Sequence, residues 1–549
     1  MAKCPNKPVI SIIVVVDKRD GKWLAKCINS VASQYYANWE LILVNSASQK
    51  SSQIRLVSTW TSQDSRVRAF CLKHNSTMAE ATNSAIRQAR GKFIGFLDGD
   101  DELTADALTW IIWTINKHPQ ARWFYSDEDK ISKDERCHSP YFKPDFSPEL
   151  LLSNMYTQHF IIYSADALSE IGGLRELDSG QEHDLSLRLS EVIPREQIVH
   201  IPRVLYHCRE VTGSLGTKQK PSMGAQKVVA EALKRRNLRA DVSLHKLCPT
   251  LYQIALQPSH FPKVSIIIPT RNALDLLQRC VHSIREYTNY PNYEIIVVDN
   301  QSNDLKVTEY LAAESSQRHV KVLQYNNDFN HSAMNNIAVS SVKSEFVVFM
   351  NNDVEIVSDN WLEQLVATAQ IDESVGTVGG LLLYPDGKVQ HGGMLLGILG
   401  LAGHAHKRME SNSAGYFGRL YAFQEMSGIT AALALVRRAA FEFVGGFNSE
   451  RYPTSYNDVD LCIRLRKEGF RCLYNPMVRA IHYEAKTRPI TADELHYQER
   501  LMADHSEILG NDPFYNPNLA LDNEQFSGFR RFPVEDQIPE LADIPRGER

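Results

Sequence analysis

Short apolar runs recur along the chain, separated by longer stretches whose apolar positions repeat every three or four residues. Residues 9–16 (VISIIVVV) and 40–44 read as buried strands, and 22–34 between them as a helix. A short strand at 67–72 and a helix over 77–90 follow. The run Phe93-Ile-Gly-Phe-Leu then closes on Asp98, Asp100 and Asp101. The same order restarts after Pro262, with strands at 264–270 and 294–298, the second ending at Asp299. The run Phe346-Val-Val-Phe-Met stops on Asn351, Asn352 and Asp353. Alternating strands and helices predict an α/β architecture with a mainly parallel sheet and right-handed crossovers. Ligands of such sheets lie beyond the carboxyl ends of the strands, where these polar residues cluster.

The two halves are one module written twice. Ser265 matches Ser11 and Asp299 matches Asn45, both 254 residues apart, and Asn351 matches Asp98 at 253. Further on, the segment opening at Gln181 matches the one opening at Asn457, 276 residues away, so the second copy carries extra residues. The insertion, roughly two dozen residues, is expected to include 384–402, with Gln390, His391, Gly392 and Gly393. Residues 225–237 read as a basic amphipathic helix. The expected division is a first domain over 8–220, a helical linker over 221–260, a second domain over 261–488, and a tail over 489–549 that packs on the domains.

Composition narrows the class. With 549 residues, 43% hydrophobic and 23% charged, the chain is of globular type and longer than one ordinary core. A net charge of −5 without long basic runs argues against nucleic acid as partner. No run is long enough to span a bilayer, and residues 1–8 lack the apolar core of a signal peptide. Nine cysteines without a CxxC pair suggest reduced thiols in a cytosol, buried as small hydrophobes. Trp110 and Trp113 are expected in the core or at a domain interface.

The strand ends carry candidate chemistry. Asp299 can accept a hydrogen bond from a uracil or thymine imide, beside Thr270 and Asn351. Asp353 offers oxygen to a hard divalent cation, and a neutral His482, where a strand finishes, can complete its shell. Asp458, in a polar turn opening a helix, is left to accept a proton from a hydroxyl. The first copy sets Asn45 and Asp98 at the nucleotide end, Asp100 and His207 as metal ligands, and Glu182 as base. Taken singly, each has an ordinary role: Asp299 as a turn residue, Asp458 as a helix N-cap, His482 as a packed histidine. Repetition in order favours the functional reading. His391 is either an acceptor-site group or a loop polar residue.

Both copies resemble family 2 glycosyltransferases of the GT-A fold. The matching features are the Ser265-to-Thr270 opening, the strand ending Val298-Asp299-Asn300, the Asn351-Asn352-Asp353 form of the DxD motif, and the Asn457-to-Asp460 form of the ED motif. Val444-Gly-Gly-Phe447 and Ile171-Gly-Gly-Leu174 add a shared glycine turn. The resemblance implies two GT-A (nucleotide-diphospho-sugar transferase, Rossmann-like) domains in tandem, each inverting at the sugar with Mn²⁺ or Mg²⁺. It implies UDP- or dTDP-sugar donors and a lipid-linked surface glycan as acceptor, at the inner face of the cell membrane with peripheral contact. Asp353 and His482 would hold the metal and Asp458 would be the base, whereas Asn45 and Glu182 depart from the family pattern. Two alternatives remain: a non-catalytic first module that binds nucleotide or acceptor, and a sugar-nucleotide pyrophosphorylase. The latter needs a basic Gly-rich loop after the first strand, which residues 17–22 only faintly suggest.

Overall fold

A computed structural model describes residues 4–16, 21–45, 51–72, 76–210, 223–484 and 492–530. Residues 17–20, in the loop expected of a pyrophosphorylase, lie outside this set, as does the side chain of Asn45. The chain divides into two compact units. One is Met1–Ala232 with Asn516–Asn518; the other contains Leu233–Tyr515 and Leu519–Arg530.

Each unit is built on one large mixed sheet. In the first the order is Val67–Cys71, Trp39–Asn45, Ile10–Val16, Phe93–Phe96, Ile161–Ser164, Trp123–Ile131, Ile198–Arg209 and Glu102–Leu103, with Cys137–Tyr141 added to Trp123–Ile131. The second repeats it: Val320–Gln324, Tyr293–Asp299, Val264–Thr270, Phe346–Met350, Leu433–Arg437, Val375–Leu383, Arg471–His482 and Val354–Ile356. The first four strands in each order are parallel. Helices cover their faces, so strand Val264–Thr270 is buried along its whole length and reads as one apolar run. The fifth strand of each is antiparallel to the fourth.

Polar residues inside these strands are paired. Ser11 donates to Glu40 at 2.6 Å and Ser265 to Glu294 at 2.8 Å. Ion pairs to Arg68 in one unit, and to Lys263 and Lys321 in the other, satisfy the same two carboxylates. The glycine turns are tied identically. Arg188 donates to the carbonyls of Ile171 and Gly173 and pairs with Asp184; Arg464 donates to those of Val444 and Gly446 and pairs with Asp460. All four glycines of the two turns, Gly172, Gly173, Gly445 and Gly446, take positive φ, which glycine adopts without steric cost.

Three expectations change. The stretch after the first unit's sheet is not helical throughout: helix Met223–Arg235 is followed by a hairpin of Ala240–Leu244 and Tyr252–Leu256. The hairpin adheres to the second unit, where Gln364 donates to the Leu256 carbonyl. Asp458 lies inside the first turn of helix Asn457–Lys467, and the capping position is Tyr456. The cysteines are all free, but Cys71 and Cys137 are exposed and Cys208 is half-buried. Trp110 and Trp113 pack partly buried against the first unit's core. Among the described residues no helix is long and apolar enough to cross a membrane.

Candidate active site

In the second unit the strand ends converge as the parallel sheet requires. Register sets Thr270 beside Asp299, and Thr270 Oγ1 accepts from the Asn352 amide at 2.9 Å. Asp299 is buried; one of its oxygens accepts from the Ser302 N–H at 3.2 Å, so part of its role is turn chemistry. His482 ends its strand directly opposite Val354, which brings its Nε2 to 3.1 Å from Asp353 Oδ1 and 3.4 Å from the Asn351 amide. Its Nδ1 lies 2.8 Å from the Gln390 amide nitrogen.

A carboxylate, an imidazole and a side-chain amide on one point form the mixed O/N donor set that Mn²⁺ or Mg²⁺ accepts. Gln390 Oε1 is buried without a partner, although the amide holds the ring that faces Asp353. Turning the amide over would bring that oxygen to His482 Nδ1 and leave the Nε2 lone pair for an ion, in exchange for the bond that Gln390 Nε2 donates to Glu484 at 3.1 Å. The residues fit a divalent cation on Asp353 and His482.

Asp458 is tied to the strand end at Asn351 from the helix side, through the backbone of Ala431 and Ala432. Its carboxylate accepts from the N–H groups of Ala431 and Val459, while the Ala432 carbonyl accepts from Asn351 N–H. Burial raises its pKa above the ordinary aspartate value, against the pull of those donors. Asp460, two residues on, is committed elsewhere, to Arg464 at 2.7 Å and His505 at 3.0 Å. His331 was not visible in the sequence as a site residue. It opens helix His331–Ser340, meets the Asn457 amide at 3.1 Å and hydrogen-bonds Asn351, and burial lowers its pKa to about 4. It therefore bridges the two motifs as a neutral ring. His391 is fully buried and meets His404 at 2.7 Å through Nδ1, with Nε2 unpartnered.

The first unit is not a copy at this centre. Asp98, Asp100 and Asp101 lie together, their oxygens within 4.8 Å of one another. Both oxygens of Asp101 are engaged, by the Arg209 N–H at 2.8 Å and the Tyr206 hydroxyl at 2.6 Å. Glu182 is exposed in the first turn of helix Gln181–Val192. His207 was expected at the place of His482 from its spacing to Glu182. The ladder gives another answer: Glu102 faces His207 as Glu355 faces Ile481, so Cys208 occupies the position of His482. A step of one residue turns a side chain to the opposite face, and His207 pairs with Asp129 rather than Asp100. Pro202 and Glu210, matching Pro476 and Glu484, were the sequence signal for that register.

The glycosyl transferase family 2 model matches residues 11–172 and 265–445, the bulk of both units. The O-antigen biosynthesis protein RfbC of Myxococcus xanthus is 34% identical over the whole of this chain and 44% of its own length. An uncharacterized protein, y4gI, of Sinorhizobium fredii is 38% identical over 95% of this chain and 58% of its own. The chain thus spans about half the length of the curated relatives it matches. Among solved structures, the mannosyltransferase PcManGT of Pyrobaculum calidifontis, in complex with GDP-Man and Mn²⁺, is 19% identical with a TM-score of 0.36, covering 54% of this chain and 75% of that one. The chain belongs to glycosyl transferase family 2 and carries the family's GT-A-type α/β domain twice.

Proposed function

We propose that the second unit transfers a sugar, with inversion, from a UDP- or dTDP-linked donor to a hydroxyl of a growing surface glycan, such as O-antigen or capsule, carried on a lipid. The observation that carries this is the convergence of Asp353, His482 and Asn351 at the strand ends, with Asp458 joined to them through Ala431 and Ala432. Asp299 would accept the imide N–H of the pyrimidine. Asp458 would take the acceptor's proton as its oxygen bonds to the anomeric carbon and the bond to the diphosphate breaks. Mn²⁺ or Mg²⁺, held by Asp353 and His482, would supply charge neutralisation for the leaving diphosphate. A surface-glycan acceptor is supported by the name of the RfbC relative, and implies a cytoplasmic enzyme peripheral at the membrane's inner face.

For the first unit, Cys208 at the place of His482 favours a module that binds nucleotide or acceptor over a second transferase. The bifunctional reading keeps Asp98, Asp100 and Glu182 as its support. Purified protein offered a panel of nucleotide sugars, with nucleoside diphosphate release as readout, tests the proposal. Release from a UDP- or dTDP-sugar, abolished by EDTA and restored by Mn²⁺ or Mg²⁺, is expected. Full turnover in excess EDTA would overturn the metal assignment. Activity remaining in an Asp353→Ala chain would restore the first unit as a transferase.

A further inference from the structure

Three side chains of the first unit, Asp129, Cys137 and His207, offer one carboxylate oxygen, one sulfur and one ring nitrogen within 4.8 Å of one another. They come from three hydrogen-bonded strands: Trp123–Ile131 lies between Cys137–Tyr141 and Ile198–Arg209, and Asp129 faces His207 directly in register. His207 Nδ1 lies 2.5 Å from Asp129 Oδ1 and 3.7 Å from Cys137 Sγ. Side-chain exposures of 12% for Asp129 and 21% for His207, with Cys137 exposed, leave the group partly desolvated yet open to solvent.

The repeat supplies an internal control. In the second unit, Leu383 faces Ile481 on the strands that match those of Asp129 and His207. The fold is therefore satisfied by two aliphatic side chains there, and the polar group is a property of the first unit alone. It is also separate from the donor centre, because consecutive strand residues point to opposite faces: Cys208 stands at the place of His482 and His207 is turned away.

We propose that Asp129, Cys137 and His207 bind a soft-to-borderline divalent cation, of which Zn²⁺ is the model, with a fourth position left to water. Sulfur, imidazole and carboxylate are the ligands such ions take, at about 2.0–2.3 Å. In a tetrahedral shell those lengths set sulfur and nitrogen about 3.5 Å apart, close to the separation already present. The Asp129–His207 hydrogen bond would open by about 1 Å as the ion replaces the shared proton, which moves to Nε2 of the neutral ring. Binding releases the Cys137 thiol proton to solvent, and thiolate plus carboxylate balance the ion's two charges. Such an ion would clip the Cys137–Tyr141 edge strand to the sheet.

Co²⁺ as a spectroscopic probe on the full-length chain tests this, because a thiolate–Co²⁺ charge-transfer band cannot arise from the oxygen and nitrogen donors of Asp353 and His482. One equivalent of Co²⁺ should produce the band, and Zn²⁺ should displace it. Cys137→Ser should remove it, and His207→Ala should weaken binding by at least about 100-fold, beyond what loss of an outer-shell partner costs. Cys71→Ser, at the other exposed cysteine, should leave the band unchanged. Cys137 is exposed, so its serine variant should melt as the parent does without metal, and Zn²⁺ should raise the transition of the parent only. No band, or a band that survives Cys137→Ser, would overturn the proposal.

Discussion

Gln390 shows how a residue outside the motifs sets the chemistry of one inside them. It alone meets His482 Nδ1 among the described hydrogen bonds, and so sets the tautomer and the angle at which Nε2 faces Asp353. Replacing it with leucine keeps the volume but frees the ring. Outer-shell partners of this kind are worth about 10- to 100-fold in metal affinity. Gln390→Leu should therefore raise the Mn²⁺ concentration for half-maximal activity by that factor, with the rate recovered at saturating metal. An unchanged metal dependence would remove Gln390 from the centre. Asp458 carries a second residue-scale signature. Burial raises its pKa, so the acid limb of the rate profile should fall above the usual aspartate range as the carboxylate protonates.

At the scale of elements, the arginine staples hold the helix that delivers Asp458. Arg464 ties Asp460 to the carbonyls of Val444 and Gly446, and Asp460 is nearly inaccessible. Arg464→Ala leaves the buried Asp460 with His505 as partner and frees two carbonyls, and should cost about 3 kcal/mol, seen as a lowered denaturant midpoint for the second unit. A loss below about 0.5 kcal/mol would mean the staple adds little. The elements themselves were legible where burial is two-sided: strands 264–270 and 346–350 appear at their expected limits because every residue faces a covered side. The hairpin after Arg235 was hidden by the amphipathic helix before it, although Tyr252, Ile254 and Leu256 alternate as a half-buried strand should. Asp353, His482 and Asn351 were singled out from strand ends, and the ladder brings the three side chains together. Register was not found: spacing along the chain pointed to His207, and hydrogen bonding across the sheet set Cys208 in that place. His331 was missed because a helix-opening histidine carries no mark of the two asparagines it joins.

At the scale of the whole molecule, the two units should respond to pH in opposite directions. In the first, burial disfavours charge on His159 and His200, but Glu128 and Asp127 outweigh it and raise both to about 9. Their contribution is complete below the unfolded histidine value of about 6.5 and is lost as pH rises through 9. In the second, burial lowers His404 and His406 to about 3. Those rings fold neutral, so their contribution is present above about 6.5 and is lost as pH falls. Calorimetry from pH 6.5 to 9 should move the first unit's transition down while the second holds; from 6.5 to 4.5 the second should fall. Parallel movement of both would contradict this charge assignment.

The central claim is that one carboxylate in the second unit accepts the acceptor's proton beside a donor held by other residues. Asp458→Asn tests it most directly, because the side chain keeps its shape and loses only the capacity to take a proton. Nucleoside diphosphate release with acceptor present should drop by about 10²- to 10⁴-fold, while the donor nucleotide binds as before. Transfer at the parent rate would contradict the account, and loss of donor binding would instead assign Asp458 to holding the site together.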